Sequence, residues 1–92
     1  MVFTDYMYKY DVYLSKAKVI VLVTDDSIYV LHIPSYQVIN HIKLSNLKKI
    51  LTIQTNSSIF ALSFNGDNID LLFESYRRTE FIIFLLQNCD NS

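Results

Sequence analysis

One stretch of this chain fits a helix better than a strand, and it closes a sequence that otherwise reads as short strands. Ahead of it lies an apolar run, Ile69-Asp70-Leu71-Leu72-Phe73-Glu74-Ser75. The turn signal Asn65-Gly66-Asp67-Asn68 ahead of that run marks it as a strand. Beyond it come Tyr76-Arg77-Arg78-Thr79-Glu80-Phe81-Ile82-Ile83-Phe84-Leu85-Leu86. Ser75 suits an N-cap, because its hydroxyl can accept a bond from an unpaired N–H of the first turn. Arg78, Phe81, Ile82, Leu85 and Cys89 stand at i, i+3, i+4, i+7 and i+11, one side of a helix. A lone apolar-faced helix behind a series of strands has to bury that face against them. The helix is therefore predicted to plug or flank a sheet assembly.

Upstream, residues 5–14 alternate as a strand. Tyr6, Tyr8, Tyr10 and Val12 lie on one side, and Met7, Lys9, Asp11 and Tyr13 on the other. Ser15-Lys16-Ala17-Lys18 is a polar break and is predicted to be the first hairpin loop. Val19-Ile20-Val21-Leu22-Val23-Thr24 is continuous and β-branched, as suits a buried central strand. Asp25-Asp26 is a tight turn, and residues 28–33 are its hairpin partner. Pro34-Ser35 turns the chain again ahead of a strand over residues 37–44. Ser45-Asn46-Leu47 reads as a single turn. Residues 49–55 form the next strand, with Ile50 inward and Ile53 a second inward candidate. Asn56-Ser57-Ser58 is predicted as a turn. Ile59, Ala61 and Ser63 then alternate with Phe60, Leu62 and Phe64. The expectation is seven short strands and one C-terminal helix in a single domain spanning residues 1–92, with a short polar tail from about residue 87. Such an order suits a small, partly open barrel stoppered by the helix. With one glycine and one proline, its turns must rely on Asn, Asp and Ser.

Composition narrows the function classes. Hydrophobic residues make up 51% of 92, which argues against disorder. A formal net charge of −1 provides no whole-molecule attraction to nucleic acid, so no nucleic-acid partner is expected, and binding to an acidic membrane must come from a local patch. The single cysteine allows no disulfide within the chain, as fits a reducing compartment. No apolar run approaches the roughly 18–20 residues that span a bilayer, and Met1-Val2-Phe3-Thr4-Asp5 lacks a signal-peptide layout. A cytoplasmic protein is the expectation.

Three segments resemble the tail homology 1 domain of class I myosins, a pleckstrin-homology-like (PH-like) fold. Val21-Leu22-Val23-Thr24-Asp25-Asp26-Ser27-Ile28-Tyr29-Val30-Leu31 looks like its second-to-third-strand hairpin. Ile42-Lys43-Leu44-Ser45-Asn46-Leu47-Lys48-Lys49-Ile50 resembles its I-x-L-S-x-I-x-x-I turn. Asp70-Leu71-Leu72-Phe73-Glu74-Ser75, followed by Arg78-Thr79-Glu80-Phe81-Ile82, resembles its last strand and helix start. The segments occur in the family's order and sample most of the chain. The resemblance implies a PH-like fold and a membrane-directed, non-catalytic adaptor role. No motor, calmodulin-binding segment or remainder of a tail accompanies them, so either an independent small protein or an excised domain is expected.

The catalytic inventory is thin. His32 and His41 sit on separate predicted strands without metal-ligand spacing, and a solvated or hydrogen-bonded strand histidine explains each. Cys89 near the helix end reads as a small packed residue and not a nucleophile with a base. Gly66 lies in a turn and forms no phosphate loop. Asp25 with Asp26, and Asp67 with Asp70, read as turn residues. Neither an enzyme, a cofactor nor a metal is expected.

The basic residues carry more. In PH-type domains a lysine near the end of the first strand and two basic residues opening the second hold inositol phosphates by charge-assisted hydrogen bonds. The resemblance carries that role to Lys9, Lys16 and Lys18, with Lys9-Tyr10-Asp11 matching a lysine-tyrosine-aspartate of the myosin-like pattern. Ile20 stands two residues past Lys18, where the family has an arginine, and Asp11 partly offsets the charge. Lys43, Lys48 and Lys49 form a second basic group for general attraction to an acidic leaflet; an ordinary polar turn is the plain alternative. Arg77 and Arg78 at the helix start are expected to pair with Glu74 and Glu80. With Phe81, Ile82 and Leu85 inward, Tyr76 and Ile83 face out as a candidate protein-docking patch. Two functions follow. One is binding of acidic phospholipids, phosphoinositides included, peripherally at a cytoplasmic membrane surface or the cell cortex. The other is a protein-interaction module that kept the fold and lost the lipid site, with a cytoskeletal or adaptor partner or weak self-association.

Overall fold

A computed structural model describes residues 2–66 and 70–89. The strands are β1 (Phe3–Tyr10), β2 (Lys16–Val23), β3 (Ser27–His32), β4 (Val38–Lys43), β5 (Leu47–Ile53), β6 (Asn56–Phe64) and β7 (Leu71–Glu74). A 3-10 turn at Leu44–Asn46 separates β4 from β5, and the helix α1 covers Arg78–Cys89. All seven strands share one antiparallel sheet in the order β4-β3-β2-β1-β7-β6-β5. Because β1 pairs with β7, the sheet curls into a half-barrel whose free edges are β4 and β5. This is the architecture expected from the sequence.

The core lies inside the curl and obeys the period of two. Phe3, Met7, Val19, Val21 and Val23 point inward from β1 and β2, and Phe60, Leu62 and Phe64 from β6. α1 closes the open side. Phe81 and Leu85 are fully buried and Phe84 nearly so, while Ile82 and Cys89 pack partly against the core. Phe81 stands edge-on to Phe3 at 5.3 Å between ring centres and 5.4 Å from Phe60. This aromatic wedge makes the helix a plug.

The helix start is fastened in two ways. Ser75 Oγ accepts the Arg77 N–H at 3.0 Å, so the predicted cap works one residue before the first helical turn. Arg78 Nη1 donates to the carbonyl oxygens of Asn56 (3.0 Å) and Ile59 (3.1 Å), which ties the helix to β6. The arginine pairing differs from expectation. Arg77 pairs with Glu80 (2.9 Å) and Asp5 (3.3 Å), whereas Glu74 takes Lys16 instead of an arginine. The helix runs three residues past Leu86, through Cys89.

With little glycine, polar side chains shape the turns. Thr24 Oγ1 accepts the Ser27 N–H at 3.1 Å and donates to Asp26 Oδ1 at 3.0 Å. Asn56 Oδ1 accepts the Ser58 N–H at 2.9 Å. Several boundaries depart from the sequence expectation, with β5 starting at Leu47 inside the expected turn. The first loop is residues 11–15, and Lys16-Ala17-Lys18 belong to β2. Asp11 is the cause: its Oδ1 accepts the N–H of Tyr13 (2.8 Å) and Ser15 (3.0 Å), and its carbonyl takes the Leu14 N–H (3.0 Å). That closes the loop before the apolar Val12-Tyr13-Leu14 can extend the strand. The turn before β6 is Gln54-Thr55, and Asn56-Ser57-Ser58 already belong to β6. Ile53, next to that turn, is exposed, while Ile50 packs against the core. Of the predicted turn Asn65-Gly66-Asp67-Asn68 and the following run, Asp67, Asn68 and Ile69 lie outside the described residues.

Candidate functional site

Antiparallel partners share a face, so the register of the first hairpin decides which lysines meet. Lys9 lies opposite Ala17, in the same set as Met7↔Val19 and Asp5↔Val21, and therefore points to the barrel side. Lys16 and Lys18 lie opposite Tyr10 and Tyr8, on the outer side. The three lysines assigned to one headgroup site thus stand on two faces of one ribbon.

The outer face is the denser constellation. Tyr6, Tyr8 and Tyr10 form a row along β1. Lys16 Nζ lies 4.7 Å from the Tyr8 ring centre, and Lys18 Nζ lies 5.2 Å from that of Tyr6. These are cation–π contacts that draw the two ammonium groups down onto the aromatic row. Glu74 of β7 closes the group: its Oε1 accepts Tyr10 Oη at 2.7 Å and Lys16 Nζ at 3.3 Å. The Tyr10 and Lys16 hydrogen bonds hold the Glu74 carboxyl below its usual range. The same hydrogen bonds to Glu74, with its charge adding to them, raise both the Lys16 ammonium and the Tyr10 phenol. A cavity of about 240 Å³ opens beside them, lined by Tyr6, Tyr8, Lys18, Glu74, Ser75 and Tyr76. Lys18, free of a carboxylate contact in this group, is the cation that faces the cavity.

Lys9 shares a separate opening of about 310 Å³ with Tyr10, Asp11, Val12, Asp70 and Leu71. The Asp11 carboxylate there is turned into its own loop.

The second basic group divides as well. Lys43 ends β4 opposite Ser27. Near it, hydrogen bonds from Thr24 and Ser27 hold the Asp26 carboxyl below its usual value, with Lys43 and His41 adding to the effect. Lys48 and Lys49 line a groove of about 400 Å³ between β5 and α1, with Leu47, Ile50, Ile82 and Leu86. Tyr76, 94% exposed, lines the outer tyrosine cavity, whereas Ile83, 50% exposed, lines neither space. Both face outward.

Both histidines are hydrogen-bonded strand residues. His32 Nδ1 bonds Ser35 Oγ at 2.9 Å, and His41 Nε2 bonds Ser27 Oγ at 3.2 Å while stacking on Tyr29 at 4.3 Å. Among the described residues no three His, Cys, Asp or Glu side chains gather as metal ligands. Sequence reasoning missed Glu74 as the anion of the tyrosine–lysine group and missed the apolar tip of the first loop. The first was out of reach, since Glu74 is 58 residues from Lys16. The second had a signal in Asp11, an Asx-turn former just ahead of the tip.

No family model matches this chain, and no curated protein does. Solved structures do. The chain is similar to the DH/PH domain of human ARHGEF11 in a ternary complex with human RhoA and its inhibitor (TM-score 0.84, 12% identity), covering 98% of this chain and 29% of that one. It is similar to inner membrane complex sub-compartment protein 3 of Toxoplasma gondii (TM-score 0.76, 12% identity, 96% of this chain and 75% of that one). It is similar also to the Slm1 PH domain in complex with inositol 4-phosphate (TM-score 0.65, 8% identity, 94% and 90%). The chain spans under a third of the first of these and most of the last two. At such identities the likeness shows the fold alone: the chain has a PH-like fold.

Proposed function

We propose that this chain is a non-catalytic adaptor domain that docks on membranes carrying acidic phospholipids, phosphoinositides included, through its first hairpin. The observation that carries the reading is the pair Lys16 and Lys18. They stand two residues apart on one face of β2, each ammonium seated on a tyrosine ring, and Lys18 lines an open cavity. Successive same-face positions on a strand lie about 7 Å apart, a span that two oxygens of a phosphorylated headgroup can bridge by charge-assisted bonds. The Slm1 PH domain, of the same fold, has been solved with inositol 4-phosphate. Lys9 adds attraction from the barrel side of the ribbon, and Lys43, Lys48 and Lys49 extend the basic surface. The finer reading, a domain of the myosin-I tail type at the cytoplasmic membrane surface or cell cortex, rests on the three sequence segments that resemble that family.

Co-sedimentation with phosphatidylcholine vesicles, with and without a phosphoinositide, tests it. Binding should need the acidic lipid, fall steeply with salt, and be lost in Lys16→Ala/Lys18→Ala while Lys9→Ala weakens it less. Absence of binding at low salt overturns it.

A second reading, protein docking, is favoured by one place. The groove between β5 and α1 runs beside a free strand edge and carries Lys48 and Lys49 among apolar residues. An extended segment with acidic and apolar residues would pair its backbone with β5 and its charges with the lysines. Titrating such a peptide against wild type and Lys48→Glu/Lys49→Glu separates the readings, since the lipid reading expects no saturable peptide binding.

A further inference from the structure

The outer face of the β1–β4 half of the sheet is apolar, where an antiparallel sheet turned to water is ordinarily polar. Val19, Val21 and Val23 of β2 point into the barrel, so Ile20 and Leu22 point out. Tyr6 of β1 lies opposite Ile20, Ile20 opposite Leu31, and Leu31 opposite Val38. Two residues along β2, Thr4, Leu22, Tyr29 and His41 line up in the same way. Opposite residues share a face, so the two rows cross four strands side by side. Tyr6 and Val38 are each 55% exposed, and Ile20, Leu22, Tyr29 and Leu31 partly so. α1 packs on the inner face, with Phe81 and Leu85 in the core, and leaves the outer rows as they are.

The charges around this face say what would cover it. Lys16 and Lys18 stand at the start of β2, and Asp25 and Asp26 in the turn that follows its end. Glu74 offsets Lys16 at 3.3 Å, and Lys43 ends β4 beside Asp26. The charges that remain are Lys18 at one end and Asp25 at the other. Such a face is complementary to itself. A two-fold axis lying in the interface and across the strands runs β2 of a second copy antiparallel to β2 of the first. With the axis level with Val21, Ile20 lies over Leu22 of the second copy, Leu31 over Tyr29, and Val38 over His41. The lysine end of each copy then meets the aspartate end of the other. A net charge of −1 opposes that approach only weakly. Four strands spaced about 4.8 Å, each some six residues long at about 3.3 Å, give a face of roughly 400 Å² per copy. That is about half the 800 Å² or so per partner of a standard interface, so the contact suits a micromolar dimer.

We propose that this outer face is the contact of a weak, two-fold symmetric dimer of the chain, the Tyr6–Val38 row of each copy packing on the Thr4–His41 row of the other. Dimerisation here goes beyond the membrane reading and does not rest on it, although Lys18 serves both surfaces.

Sedimentation velocity of the chain, from about 1 micromolar to several hundred, tests it. The sedimentation coefficient should rise from that of a monomer toward that of a dimer and no further. Leu31→Lys/Val38→Lys should weaken the dimer by about tenfold or more, with an unchanged circular dichroism spectrum. Lys18→Glu and Asp25→Lys should each weaken it severalfold. An equimolar mixture of those two variants should associate more tightly than either alone, since every altered charge then meets its opposite. Lys18 and Asp25 are exposed, so this pair keeps the test decisive even if the lysines at Leu31 and Val38 disturb the fold. A monomer at every concentration overturns the inference, whatever else covers the face. A dimer that Leu31→Lys/Val38→Lys leaves intact, in a folded chain, also overturns it, as does growth beyond a dimer. A mixture no tighter than its components overturns the two-fold arrangement.

Discussion

Replacing Phe81 by alanine should remove a large part of the stability of this domain. The ring is fully buried and wedged between Phe3 at 5.3 Å and Phe60 at 5.4 Å. Truncating a buried phenylalanine costs roughly 3–5 kcal/mol, the lost transfer free energy plus the cavity left behind. The upper half of that range is expected here, since two aromatic contacts, worth about 0.5–1.5 kcal/mol each, are lost with the ring. At about 0.05–0.15 kcal/mol per residue, a 92-residue domain holds about 5–14 kcal/mol in all. Phe81→Ala would thus take at least a quarter of it, and in a marginal domain nearly all. Urea unfolding followed by far-ultraviolet circular dichroism is the assay. Phe81→Leu, which keeps much of the apolar volume but loses both ring contacts, should cost roughly 1–3 kcal/mol, less than Phe81→Ala, and still fold. Ile83→Ser, two residues on but 50% exposed, should stay within about 0.5 kcal/mol. If Phe81→Ala lost less than about 1.5 kcal/mol, or no more than Ile83→Ser, the helix would not be the plug of this barrel.

Three further outcomes are expected. Arg78→Met should destabilise by roughly 1–3 kcal/mol, because two β6-side carbonyls lose a charged donor; hydrogen exchange should rise first where the helix start meets β6. Glu74→Gln should strengthen binding to acidic vesicles by about fivefold, by releasing Lys16 and removing one negative charge from the tyrosine–lysine group. The same variant has a pH signature. The folded-state carboxyl of Glu74 lies below its ordinary value of 4.5. Its stabilising contribution is therefore complete above that value and disappears as pH falls through the depressed folded pKa. The gap in urea midpoint between wild type and Glu74→Gln should close below about pH 4.5, and a gap that widened there would contradict the geometry. Asp11→Ala should cost about 1 kcal/mol by orphaning the N–H groups of Tyr13 and Ser15. Amide exchange at residues 13–15 should rise with it.

The sequence by itself determined the plan of the domain. Alternation along Phe60, Leu62 and Phe64, the β-branched run from Val19 to Val23, and the helical spacing of Phe81 and Leu85 each state which side of an element is apolar. A chain can satisfy all of them at once only by curling a sheet around the helix. The turns at Asp25-Asp26 and Pro34-Ser35 were legible for the same reason, because the preference lies within the residues that turn. What tertiary structure decided was where the first hairpin ends and which lysines share a face. Apolar Val12-Tyr13-Leu14 read as strand, since alternation records polarity and not the hydrogen bonds that Asp11 uses to close the loop. Once the loop closes there, Lys9 falls opposite Ala17, and a slip of one residue would have placed it opposite Lys16 or Lys18. Face in an antiparallel pair depends on the register of two strands together, so neither strand's sequence contains it. The pairing of Lys16 with Glu74 across 58 residues depends in the same way on β1 lying beside β7, a contact that exists only after the sheet has curled.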